Sequence, residues 1–213
     1  MPSKAYSTFK YNLKQVDRLL DAYITMLTPT KGRKFLDHFT RAALLFLCSS
    51  WEVYLEQVSN EAGKTISDKL TKPEGLPVTV KKTISKKVKE SKNDLSPIKL
   101  ANDWRQYYCD QIAEYTSRLN TPKKDKVMEL LNKYIGIPGN RIISDVPSLD
   151  KLNIIVSERG NIAHNIYAEE YLRKETVDEY YQIIVHLVKE IEILLWNFIP
   201  EITDGKRPWQ NTY

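Results

Sequence analysis

Glycine is scarce in this chain, with seven in 213 residues. Together with the near absence of alternating apolar and polar runs, that argues against a turn-rich β architecture and toward helices. Cysteine is scarcer still: Cys48 and Cys109 stand far apart and form no C-x-x-C pair. A disulfide framework is therefore not expected, and a reducing compartment is the simpler setting. Three histidines, at 38, 164 and 186, have no zinc-ligand spacing, so neither a metal nor another cofactor is expected. No uninterrupted apolar run spans a bilayer, because IIVHLVKEIEILLWNFIP is broken by Lys189, Glu190 and Glu192. The first ten residues, MPSKAYSTFK, lack the apolar centre of a signal peptide. The expectation is a soluble cytoplasmic protein without a membrane partner. A net charge of +5 permits an acidic partner such as RNA and does not by itself demand one.

Helical spacing dominates what is present. Phe9, Leu13, Val16, Leu20, Tyr23, Ile24 and Leu27 mark a first helix that Thr28-Pro29-Thr30-Lys31-Gly32 should end. A second helix is expected from about Phe35 to Ala62. It is apolar on nearly every side from Ala42 to Cys48, as the hub of a bundle would be. Residues 63–99 change character, with ten lysines against four acids and interruptions at Gly63, Pro73, Gly75 and Pro77. Within them Val80, Ile84 and Val88 fit a short helix resting one stripe on the core. Lys81, Lys82, Lys86 and Lys87 then form a basic face, either a solvated surface or a phosphate-contacting one. Ser96-Pro97 should open a helix toward Arg118. NTPKKDKVMELLNKYIGIPG reads as a cap, a short helix and a stop. A further helix should start near Ser148, and Thr176-x-x-Glu179 looks like the capping box of the last one. The apolar stripe of that last helix is wide enough for both the core and a second subunit. The reading is one all-α domain over 1–213 that carries a basic, partly helical insertion at 63–99.

SERGNIAHN, residues 157–165, places Arg159 five residues before His164. Five positions along an unbroken helix turn the two side chains about 140° apart. Sharing one site would need the helix to loosen at Gly160-Asn161. The alternative is a helix end stabilised by cationic Arg159 beside a solvated histidine. RKFLDH repeats the spacing at Arg33 and His38, in the context of an ordinary helix entry. Glu52 and Glu56 share one face of the hub helix. Apolar neighbours suggest that Glu52 is partly buried and needs a partner, while Glu56 fits a solvated edge. Trp51 and Tyr54 fall on the core stripe rather than on a base-stacking surface.

SERGNIAHN resembles the R-x4-6-H signature of the HEPN superfamily. RAALLFLCSSWEVYLEQV, RLNTPKKDKVMELLNKYIGI and LDKLNIIVSERGNIAHN follow in the order of its RiboL-PSP-type group. The resemblance spans most of residues 35–199 and implies a HEPN-like helical bundle. It also implies a homodimeric, metal-independent endoribonuclease with RNA as substrate. Arg159 and His164 are then catalytic, with Glu52, Asn161 and Asn165 in support and Arg159 as the partner of Glu52. A toxin or phage-defence setting is implied too, with an antitoxin or defence protein as a further partner. Gly160 stands where the family usually has a polar residue, often Asn. That departure favours the other reading, a non-catalytic HEPN module that binds RNA or a partner protein.

Overall fold

The computed structural model describes residues 2–28, 33–91, 95–164 and 171–209; the side chains of residues 33, 34 and 164 lie outside that description. The described residues form an all-α structure of nine α-helices, short 3-10 turns at Arg33–Leu36 and Pro73–Gly75, and a π-turn at Leu131–Ile135. Among them no helix is long and apolar enough to cross a membrane.

Helix α1 (Lys4–Met26) buries the expected stripe, Phe9, Leu13, Val16, Leu20 and Tyr23, along α2 (Asp37–Lys69). Ile24 and Leu27, assigned to the same stripe from spacing, are exposed. Helix α2 is the hub, touching α1, α5 (Trp104–Thr116), α8 (Leu149–His164) and α9 (Lys174–Ile202). Trp51, Tyr54, Leu47 and Leu55 are wholly inaccessible, so the two aromatic side chains are core. Burying each large apolar side chain contributes roughly 1.5–3 kcal/mol.

The hub helix does not end at Ala62. It runs through Gly63 to Lys69, because there the glycine serves a close approach: a Cβ would lie 2.2 Å from Cδ1 of buried Ile112 on α5. Beyond it, α3 (Val78–Glu90) buries Val80 and Ile84 and packs against the π-turn. Gly136 closes that turn with φ of +97°, and a Cβ there would meet the Pro77 ring at 2.4 Å. The expected single helix from Ser96 to Arg118 is two, α4 (Ser96–Asn102) and α5. Asp103 breaks the run because its carboxylate accepts from the N–H groups of Arg105 and Gln106, capping α5 instead of continuing α4. After α6 (Lys124–Leu130) and α7 (Gly139–Asp145) come α8 and α9. The capping box at Thr176 is not the start of α9. That helix begins one residue after Arg173, which places Thr176 inside the first turn.

Candidate nucleic-acid cleft

Helix α8 is anchored at both faces of its first turns. Leu149, Leu152, Ile155 and Val156 are buried in the core. Glu190 on α9 accepts from the Ser148 N–H at 3.1 Å and the Ser148 hydroxyl at 3.0 Å. The helix then continues without a break through Gly160 to His164. The helix does not loosen at Gly160-Asn161, since the helical backbone tolerates an interior glycine at a cost of only about 1 kcal/mol.

An open cleft of about 660 Å³ lies against this part of α8, with Val156, Ser157, Arg159, Gly160 and Asn161 along it. These residues cover a broad arc of the helix surface. His164 comes four residues after Gly160 and seven after Ser157, spacings that return to the same helical face. On the unbroken helix the Arg159 and His164 positions stand about 140° apart, with Arg159 along the cleft and the His164 backbone nearer the Ser157 and Gly160 face. Asn161 is exposed there, whereas Asn165 lies outside the described residues.

The facing wall is the connection from α5 to α6. Thr121 is held at φ of +43°, a conformation that costs a β-branched residue roughly 1–3 kcal/mol. Glu52 offsets that strain: its Oε2 accepts from the Thr121 N–H at 2.7 Å and from the Thr121 hydroxyl at 3.1 Å. Hydrogen bonds to a charged group contribute about 1.5–3 kcal/mol. The neighbouring hub residue Trp51 donates from Nε1 to the Pro122 carbonyl at 3.4 Å. At the start of α6, the Lys124 N–H donates to Asn153 of α8 at 2.9 Å, and Lys124 pairs with Asp150 at 2.5 Å. Both walls are thus tied to the hub or to each other.

The cleft is cationic. Arg118, Lys123, Lys126 and Arg159 line it, and no carboxylate does among the described residues. Arg118 is paired with Glu114 at 2.6 Å and Lys126 with Glu129 at 3.2 Å, while Lys123 has no ion pair with a described residue. The expected pairing of Glu52 with Arg159 does not form; the Glu52 carboxylate turns its Oε2 to Thr121 instead. Arg159 makes no hydrogen bond to any described residue, and its Nε is buried with no partner. Cys48 sits near both groups. Burial pushes its thiol up to about 12; the Arg159 guanidinium acts against that shift and Glu52 adds to it.

The other nominated residues fall elsewhere. Lys81, Lys82 and Lys86 line a separate groove of about 480 Å³ on α3. Lys87 is turned away from them, 3.8 Å from Glu114 and 5.1 Å above the Tyr134 ring. Glu56 is exposed, as is His38, which is not among the residues along the cleft. The connection from Arg118 to Lys126 was missed as part of a site. The signal for it is RLNTPKKDK, a Thr-Pro turn inside a basic run.

Comparison with known proteins adds one match: the profile of the family described as RiboL-PSP-HEPN covers residues 7–197. No curated protein and no solved structure gives a significant match.

Proposed function

The chain belongs to the RiboL-PSP-HEPN family, and from that premise we propose that it is a homodimeric, metal-independent endoribonuclease. The observation that carries the reading is Arg159. A buried guanidinium nitrogen without a partner costs about 1–3 kcal/mol, and here it borders a cleft lined by three further cations. A group kept unpaired beside gathered positive charge fits an anion brought by a substrate.

RNA supplies its own nucleophile. The 2′-oxygen forms a bond to phosphorus as the bond to the 5′-oxygen breaks, leaving a 2′,3′-cyclic phosphate. One proton leaves the 2′-hydroxyl and one reaches the departing oxygen. Histidine moves protons near neutral pH, which is the role given to His164. Arginine keeps its charge and its fork of donors for the phosphorane oxygens, the role given to Arg159. One histidine cannot serve both proton transfers at the same moment, so a two-fold dimer bringing two motifs together supplies the second. Asn161, which lines the cleft, is given the role of supporting the phosphate, and Asn165 the same role through the family motif. Glu52 supports the site through the facing wall. The proposal extends to a cytoplasmic toxin or phage-defence role, with an antitoxin or defence protein as partner.

Gly160 favours the second reading, a non-catalytic module that binds RNA or protein, since it removes the usual polar side chain after the arginine. The two readings part in one experiment. Purified protein in EDTA should cut RNA, and His164→Ala should be slower by roughly 10²–10⁴-fold while still folded. Wild type that binds RNA without cutting, with Gly160→Asn gaining cleavage, supports the second reading instead.

A further inference from the structure

The lysines that composition alone marks for RNA contact lie on α3, in a groove of their own, with Lys87 committed to Glu114 and Tyr134. The cleft beside Arg159 holds a different set of cations, brought by the α5–α6 connection. We infer that this connection, Arg118 to Lys126, is the surface that holds the RNA phosphates flanking the scissile bond, with Trp51 and Glu52 as its positioning residues. The inference rests on the ribonuclease reading and adds to it where the strand lies.

Three features support it. Lys123 has no ion pair with a described residue, and Lys126 shares its carboxylate partner Glu129 with Lys133, so both have charge available for a polyanion. Glu129 is held down to about 2, first by the Lys133 hydrogen bond and then by those from Tyr115 and Lys126, so it remains an anion with donors besides Lys126. Second, the connection is rigid where it faces Arg159. Thr121 is locked in a left-handed conformation by Glu52, and Pro122 is fixed by Trp51. Lysines on a pre-formed wall lose less freedom on binding than lysines on a free loop. Third, no Phe, Tyr or Trp lines the cleft among the described residues. Contacts there reach the sugar-phosphate backbone rather than stacked bases, which predicts weak sequence preference at those positions.

The test uses the full chain and a fluorescent, non-cleavable 2′-O-methyl RNA of mixed sequence, with affinity measured across a salt series. Lys123→Ala with Lys126→Ala should weaken binding and flatten the log–log salt slope by about 1.4, since each single-strand phosphate contact contributes about 0.7. Lys82→Ala with Lys86→Ala should leave the slope close to that of wild type. Glu52→Ala should weaken binding although it removes a negative charge. Glu52→Gln, which retains an acceptor for the Thr121 N–H, should bind at least as tightly as wild type. An unchanged slope for the Lys123/Lys126 variant, while wild type binds, overturns the inference and leaves the ribonuclease reading standing. Tighter binding by Glu52→Ala overturns the positioning role. Wild type that fails to bind at low salt removes the ribonuclease reading and the inference with it.

Discussion

Gly160 sits inside α8 rather than at its end, in a position where alanine would hold the helix better by roughly 0.5–1 kcal/mol. Packing does not require the glycine, since nothing lies within 4 Å of where a Cβ would stand. The open side is the cleft. Gly160→Ala should therefore raise the melting temperature by about 1–4 °C, and a lowered one in calorimetry would contradict this account of α8. At this scale the sequence singled out Arg159 and His164 from a short motif and its apolar context, and the structure shows Arg159 bordering the cleft. The solitary state of Arg159 was not legible there. Glu52 holds a threonine with positive φ instead, sixty-nine positions away in the chain, and nothing in Asn-Thr-Pro announces that conformation.

Among the elements, the start of α1 is held by two carboxylates from other helices. Glu192 of α9, wholly inaccessible, accepts from the Ser3 N–H at 3.2 Å, the Ser3 hydroxyl at 2.5 Å and the Tyr54 hydroxyl at 3.1 Å. Glu61 of α2 accepts from the N–H groups of Lys4 and Ala5, each at 3.0 Å. Burial raises both carboxyls above 4.5, more than these hydrogen bonds lower them, and Glu61 adds to the shift at Glu192. A carboxyl that holds its proton more tightly when folded favours the folded state most while protonated. Its contribution is lost as pH rises from the unfolded value through the folded one. The urea midpoint of wild type should thus fall more steeply as pH rises above 4.5 than that of Glu192→Gln, which keeps an uncharged acceptor. Parallel profiles would contradict it. Glu129, held at about 2, acts in the opposite sense, and its contribution is lost as pH falls below 4.5. The long helices were readable because their stripes repeat over many turns. The break at Asp103 and the start of α9 were not, because a single local cap decides each and several residues compete for it.

For the whole molecule, most of the α9 stripe is consumed by the core of one chain: Leu187, Val188, Ile191, Leu194, Leu195 and Phe198 are all buried. An open groove of about 1040 Å³ is lined by Pro147, Ile154, 63% exposed, and Ile183, and the proposed dimer would use it. Light scattering should give a mass near twice 24.8 kDa, and Ile154→Glu should return it to one chain and abolish cleavage with it. A single-chain mass for active wild type would remove the shared site. The family and the all-α architecture were legible across the chain because three separated segments carry the resemblance in order. The cleft was legible only on its α8 side, since its other wall is assembled by tertiary contacts to Trp51 and Glu52.

The central claim is that Arg159 and His164 promote attack by the 2′-hydroxyl of RNA itself, and mass spectrometry of the cut ends tests it most directly. With EDTA present, wild type should leave a 2′,3′-cyclic phosphate on the upstream fragment. Arg159→Ala should lose about 10²–10³ of the rate, and a substrate with 2′-deoxyribose at the scissile position should stay intact. Ends bearing a 3′-hydroxyl and a 5′-phosphate, or continued cleavage of the deoxy-substituted strand, would contradict the account.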